Sequence, residues 1–225
     1  MKILRVIRTM DPASGGMAEG IRQIVPNLNR HGVSTTVISL DDPRKTWLAN
    51  QGFDCHGLGP VAGEYGYRRG LPARIYKFAQ AHDVVIIDGI WHHHSFATWR
   101  ALRGSSIPYY VYPHGMLDSW FKRTYPLKHL KKWIYWPWAD YRVLRDAKAV
   151  LFTSNQEQIS ARESFWLYEA KEIVSGYGTS PPPNNAGSQL ELLFERFPQL
   201  QGKRIILFMG RIHPKKGVDI LIEAF

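Results

Sequence analysis

The sequence predicts an α/β fold, an open, doubly wound parallel sheet over about residues 1–178, followed by the opening elements of a second unit. Three observations predict it. Short β-rich runs alternate with segments of helical spacing, the pattern that builds parallel sheets. The run Asp83-Val84-Val85-Ile86-Ile87-Asp88 is nearly continuous in apolar residues, as expected of a strand covered on both faces. A polar, glycine-bearing turn, Thr9 to Gly16, separates the first strand from the first helix.

The elements follow in order. Ile3 to Ile7 is a strand; charges within this short run argue against a signal peptide. Met17 to Arg30 has helical spacing, with Ile21, Ile24, Val25 and Leu28 on one side and Gly32 beyond its end. Val33 to Leu40 alternates as a strand, and Leu71 to Ala81 is a helix. After the Asp83–Asp88 strand come a helix over Ser95 to Arg103 and a strand over Pro108 to Tyr112. Lys128 to Trp136 is helical until Pro137, and a second helix runs on to Ala147. Ala149 to Thr153 is a strand, Asn155 to Leu167 a helix and Glu172 to Ser175 a short strand.

Residues 179–188, with three consecutive prolines, form the one linker-like composition shift. Beyond it, Leu190, Leu193, Phe194 and Phe197 mark an amphipathic helix, Arg204 to Met209 an apolar strand, and Val218 to Phe225 the start of another helix. The expected organisation is a first domain over 1–178, a linker and helix over 179–203, and an incomplete second domain over 204–225. Its strand and helix lack partners there, so residues after about 180 are expected to pack less well.

Composition narrows the function. Forty-four per cent hydrophobic and 21% charged residues over 225 positions describe an ordinary soluble globular chain. One cysteine, Cys55, excludes an internal disulfide framework and a Cys-rich zinc site, and fits a reducing compartment. No apolar run approaches the roughly 18–20 residues that cross a bilayer. Lys+Arg at 29 against Asp+Glu at 19 gives a net charge of +10, a surplus that favours anionic partners.

Five segments can carry chemistry. Gly15-Gly16 lets the backbone approach a ligand at a helix N-terminus, where a phosphate or sugar-like group is favoured; a plain strand-to-helix turn explains the pair equally well. The pattern is not GxGxxG, so a nicotinamide cofactor is not supported. His92-His93-His94 follow a strand's C-terminal end, where ligands sit in open α/β sheets. Consecutive side chains diverge, so lining a polar cleft, or a solvated loop, suits them better than holding a metal. His114, in Tyr112-Pro113-His114-Gly115-Met116, can donate a hydrogen bond to a phosphate or sugar hydroxyl.

Gly210-Arg211-Ile212-His213-Pro214-Lys215-Lys216-Gly217 sets a guanidinium fork and mobile ammonium groups before a helix, a diphosphate-shaped arrangement without P-loop order. Residues 118–148 hold Lys122, Arg123, Lys128, Lys131, Lys132, Arg142, Arg145 and Lys148 against three Asp, half of the chain's positive excess. They also hold Trp120, Trp133, Trp136 and Trp138, half of its eight tryptophans. Such interleaving suits an anionic membrane surface, with Trp120, Lys122, Arg123, Lys128, Lys131, Lys132, Trp133 and Trp136 as the patch. Single-stranded nucleic acid is the less favoured partner, since no RNA-binding signature accompanies it. A helix pair with inward Trp and a solvated basic face is the plain structural alternative.

In order along the chain, Gly15-Gly16, the Asp83–Asp88 strand with its histidines, Pro113-His114-Gly115-Met116-Leu117, Phe152-Thr153-Ser154-Asn155-Gln156-Glu157 and Gly210–Gly217 resemble the retaining glycosyltransferases of family four. The bacterial exopolysaccharide and lipopolysaccharide members look closest. The resemblance implies two Rossmann-like domains facing across a cleft (the GT-B fold), the first being residues 1–178. It implies transfer of a sugar from a nucleotide-diphosphate donor to a cell-envelope or lipid-linked glycan, with retention, without a cofactor or catalytic metal. Carried over, His114, Arg211 and Lys216 are the catalytic residues, and Gly15, Gly16, His92, His94 and Gly210 line the donor and acceptor sites. Preplaced cations stabilise the diphosphate as it departs, and a leaving phosphate oxygen takes the acceptor's proton. The family's second domain needs well over a hundred further residues, including a Glu-x7-Glu pair absent here. The chain is therefore expected to have little activity alone, as a fragment, a frameshift remnant or half of a split enzyme that pairs with a separate C-terminal half. A cytoplasmic location, peripheral on the inner membrane face, goes with this reading.

Overall fold

The computed structural model describes residues 1–178, 181 and 184–225. The chain divides into two compact units, Met1–Ser180 and Pro181–Phe225. Thr179, Ser180, Pro182 and Pro183 of the expected linker lie outside the described residues.

The first unit follows the strand–helix alternation of the sequence: β1 (Lys2–Ile7), α1 (Gly16–Arg30), β2 (Ser34–Ser39), α2 (Thr46–Ala49), β3 (Cys55–Gly57), α3 (Leu71–Ala79), β4 (Val84–Asp88) and α4 (His93–Leu102). Then come β5 (Tyr109–Tyr112), α5 (Trp120–Thr124), α6 (Pro126–Tyr135), α7 (Asp140–Arg145), β6 (Ala149–Phe152), α8 (Asn155–Arg162) and β7 (Glu172–Val174). The seven strands form one sheet in the order β3-β2-β1-β4-β5-β6-β7, and every pairing is parallel. The reversal of order at β1 and β4 makes the sheet doubly wound. The edge strand β3 was not foreseen, because three residues ending in glycine show no alternation.

Side chains alternate across the sheet, and each face has its own core. Leu4 and Val6 of β1 join Val85, Ile87 and Val111 beneath Leu71 and Ile75 of α3, Ala97 of α4 and Val143 of α7. Ile7, on the other face, packs with Val37 of β2 and with Ala18, Ile21 and Val25 of α1. Each large buried aliphatic contributes about 1.5–3 kcal/mol relative to exposure. Because all strands run the same way, their C-terminal ends and following loops gather at one edge.

The second unit has α9 (Ala186–Arg196) and α10 (Val218–Ala224). The helix starts earlier than its apolar residues suggested, taking in the last linker-like positions. Arg204–Met209 is not a strand, contrary to expectation. A strand needs a neighbour for its amides, and among the described residues of this unit there is none. Leu207 and Met209 are 76% and 90% exposed, and no described residue of the unit is buried.

His94 shows how burial sets chemistry in the first unit. It is fully buried, and its Nε2–H donates to the Asp88 carbonyl at 2.9 Å while Nδ1 has no partner. Burial first, then the charge of neighbouring His92, lowers its pKa from 6.5 to about 3. The unfolded chain therefore binds a proton on this ring between about pH 3 and 6.5 that the folded chain refuses, so this contribution is complete above 6.5 and declines as pH falls. Unfolding free energies of the protein and of His94→Gln, measured from pH 4 to 7, are expected to differ by an amount that grows with pH up to about 6.5. A difference flat with pH contradicts a neutral, buried ring.

Candidate active site

Arg5 lies in the middle of a central strand with its side chain 3% exposed, so its charge requires a buried counter-ion. The register places Asp88 diagonally opposite, since Ile7 pairs with Asp88 and Arg5 with Ile86. The Arg5 Nε and Nη2 donate to the two Asp88 oxygens at 2.9 and 2.6 Å. Burial opposes the charged form of Asp88, but Arg5 and a hydrogen bond with His114 outweigh it and hold the carboxyl below its usual range.

That second bond joins His114 Nε2 to Asp88 Oδ1 at 3.0 Å. His114 has φ 51° and Gly115 φ 73°, and the Met116 amide closes the turn on the Pro113 carbonyl at 3.1 Å. Positive φ at both central positions requires glycine or strain, and at His114 the carboxylate bond helps hold it. Glu157 fixes the other side of the loop. Its Oε1 accepts from the Gly115 amide at 2.6 Å, and its Oε2 accepts from the Thr153 amide and hydroxyl at 2.8 and 2.6 Å. Ser154 caps α8 by accepting from the Glu157 amide at 3.1 Å, so Ser-x-x-Glu starts the helix while its acid reaches across to the loop after β5.

The first turn of α1 comes to the same region. Met17 and Met116 both lie against Gly89, which follows β4. Tyr177 packs edge-on to the His114 ring at 5.2 Å and over Gly20, where any Cβ would overlap its ring. Its hydroxyl is buried without a partner. Gly15 has φ 92° and precedes α1 without a side-chain cap. Among the described residues no acceptor reaches the amides of Gly16, Met17 or Ala18. A Cβ at Gly15 or Gly16 would meet nothing within 4 Å. Three free amides, an open face and the N-terminal end of a fifteen-residue helix are what an anion or a hydroxyl-rich ligand can bind.

Gly15, Gly16 and His114 are thus brought to one edge of the first unit. His92 is half-buried at the start of α4, its Nδ1 on the Ile90 carbonyl at 3.1 Å. His94 does not line the cleft as expected: it is a core residue supporting Asp88, because its backbone position aims it inward. Among the described residues no group of three His, Cys, Asp or Glu is placed to hold a metal ion. Arg211, Lys216 and Gly210 belong to the second unit. Lys216 is in a short turn closed by its amide on the His213 carbonyl at 2.8 Å, Gly210 lies beside Phe208, and Arg211 is exposed.

Sequence reasoning missed Arg5, Asp88, Glu157, Gly20 and Tyr177. It also missed Arg8, which follows β1 near Gly66 and His92 and has no ion-pair partner among the described residues. A charge inside an apolar strand was the available signal for Arg5; the others depend on register.

In the basic segment, Lys122, Arg123, Lys128 and Lys131 are exposed, Trp120 and Lys132 half-buried, and Trp133 36% exposed. Trp136 is fully buried, stacked on Phe165 at 4.3 Å with its indole N–H on the Leu167 carbonyl, so it is no part of a surface patch. Trp138 and Trp166, 68% and 64% exposed, present indoles instead. Among the described residues no helix is long and apolar enough to cross a membrane.

Replacing Asp88 with Asn leaves the Arg5 charge buried and uncompensated. Urea unfolding of Asp88→Asn is expected to show a loss of about 3–5 kcal/mol, and Arg5→Met with Asp88→Leu to recover most of it. A single-variant loss under about 1 kcal/mol contradicts the buried pair.

Solved structures with this fold include three longer proteins. HepE from Anabaena, in complex with UDP and glucose, aligns over 100% of the chain and 57% of its own at 20% identity and TM-score 0.63. A glycosyltransferase from Rickettsia africae aligns over 99% and 56% at 18% and 0.64. Sucrose-phosphate synthase from Thermosynechococcus elongatus aligns over 100% and 59% at 18% and 0.62. The chain thus spans less than two thirds of each. No curated protein matches it. The family model described as a glycosyl transferase 4-like domain matches residues 15–175, most of the first unit and well over half of the sequence. The chain belongs to the glycosyl transferase 4-like family.

Proposed function

We propose that this protein serves transfer of a sugar from a nucleotide-diphosphate donor to a cell-envelope or lipid-linked glycan, with retained configuration. The observation that carries this reading is the pairing of an unblocked α1 N-terminus with His114, held by Asp88 and joined to α1 through Tyr177. A helix N-terminus offers amides to phosphate or sugar oxygens, and a fixed imidazole offers an aimed hydrogen bond. That HepE was solved with UDP and glucose supports a nucleotide-sugar donor. Arg211 and Lys216, which the family resemblance assigns to the leaving diphosphate, supply the charge such a group needs as its bond breaks. No cofactor or metal enters this scheme.

The surface of α6 supports a membrane-bound acceptor. Leu127, Leu130 and Ile134 are 83%, 59% and 72% exposed and fall on one stripe of the helix, with Lys128 and Lys131 beside them. An apolar stripe turned to solvent and flanked by lysines fits an anionic lipid interface. A peripheral location at the cytoplasmic face of a membrane is part of this proposal, and the α6 surface supports its membrane part.

Two variants test the site, each assayed for transfer beside the parent with a separate C-terminal half of the two-domain architecture supplied. Gly16→Ala keeps an allowed backbone and fills only open space, so stability is expected to be unchanged or slightly raised while transfer from nucleotide sugars falls at least tenfold. His114→Gln is expected to lower kcat about a hundredfold with little change in donor KM. Transfer by both variants at the parent rate, or a product of inverted configuration, overturns the reading.

A further inference from the structure

His114 is the imidazole proposed to meet a ligand, yet its side chain is 9% exposed. Its Nε2–H is given to Asp88, and Nδ1 has no hydrogen-bond partner among the described residues. Two tyrosines enclose the ring. Tyr112 stacks on it at 5.4 Å and is held in place, since its hydroxyl shares a hydrogen bond with that of Ser175 at 2.8 Å. Tyr177 meets the imidazole edge-on at 5.2 Å and the Tyr112 ring edge-on at 5.6 Å.

The Tyr177 position is shaped for the ring but leaves its hydroxyl unsatisfied. Gly20 of α1 provides the slot: a Cβ there would overlap the ring and lie 2.6 Å from the hydroxyl oxygen. That hydroxyl is shut off from water and has no partner. Burial, then the Asp88 charge, raises its pKa, so it keeps its proton as an unsatisfied O–H. Edge-on ring contacts favour this position, and the unmade hydrogen bond opposes it by a comparable amount. A second position, with the hydroxyl in water, is therefore close in energy.

The backbone supplies the means to reach it. The Ser175 amide, bonded to the Phe152 carbonyl at 3.0 Å, is the last backbone tie of this segment to the sheet among the described residues. Gly176, with φ 69°, and Gly178 flank Tyr177, and a Cβ at either would meet nothing within 4 Å. Glycine on both sides lets the tyrosine turn without moving β7 or α1.

We infer that Tyr177 is a gate over His114. In its slot on Gly20 it covers the imidazole; turned outward, it uncovers the ring and hydrates its own hydroxyl. This rests on the reading of His114 as a ligand-binding residue and gives that site a closed and an open state. A ligand that contacts the imidazole selects the open state. A tyrosine that only fills space predicts no change at His114 when its hydroxyl is removed.

The test reads accessibility and not transfer, so its failure and that of the proposed function are distinguishable. The full chain is treated with diethyl pyrocarbonate, which acylates an accessible neutral imidazole, and the rate at His114 is followed by peptide mass spectrometry. His56, with its side chain 45% exposed, is the internal reference. Tyr177→Phe removes the unpaired hydroxyl and favours the closed state, so His114 is expected to react about fivefold more slowly. Gly20→Ala fills the slot and Tyr177→Ala removes the ring. With an open state of about a tenth in the parent, each is expected to speed His114 about tenfold and leave His56 unchanged. The double variant is expected to match either single one, because both act through one contact. Tyr177→Phe reacting at or above the parent rate overturns the gate, as does Gly20→Ala at the parent rate. If Gly20→Ala fails to fold, Tyr177→Ala carries the same comparison. Absence of sugar transfer with this pattern of rates intact overturns the proposed function and supports the gate.

Discussion

The Arg5–Asp88 pair is the interaction on which the rest of the first unit depends. An arginine in the middle of a buried strand is tolerated only with a matching carboxylate, and the parallel register puts Asp88 within reach of both guanidinium nitrogens. Asp88 then has an oxygen left for His114 and a carbonyl for His94. One side chain and its own backbone thereby tie together β1, β4, α4 and the loop after β5. A well-packed apolar pair of similar volume often matches or exceeds a buried ion pair in stability. The return on this arrangement is therefore geometric. It holds an imidazole in a left-handed backbone conformation at the open edge of the sheet.

Two glycine-dependent approaches complete that edge. Gly20 leaves room for Tyr177 to lie across α1 and touch His114, and Gly89 leaves room for Met17 and Met116. Gly16 differs, because nothing in the chain occupies the space its missing side chain leaves. Packing accounts for Gly20 and Gly89, whereas the space beside Gly16 stays open. Glu157 adds the last restraint, since its carboxylate satisfies amides from two loops that would otherwise turn independently.

Helix α6 follows a different logic. Most surface helices turn their apolar residues to the core. Here His129 goes inward, stacked on Phe165 at 4.5 Å, while Leu127, Leu130 and Ile134 face out. Burial of the histidine beneath lysines leaves a positively charged cavity on one side of the helix, and Leu127, Leu130 and Ile134 leave an apolar stripe on the other.

The sequence by itself determined the order of most elements in the first unit, the parallel sheet, Gly15-Gly16 and the His114 turn, because periodicity and glycine placement are local signals; it missed the short α2, β3 and α5. The family resemblance rested on the same short motifs, and the matching domain model covers residues 15–175. Local signals misjudged His94, Trp136 and Arg204–Met209. Whether a histidine lines a cleft or a core, whether an indole meets lipid or Phe165, and whether an apolar run becomes a strand all depend on what lies opposite. Only the tertiary structure decided that Asp88 serves Arg5 and His114, that Glu157 clamps Gly115, and that Lys132 rests on Trp91 without a carboxylate. Those contacts join residues 26 to 83 positions apart or across helix faces, and no local pattern encodes such a meeting.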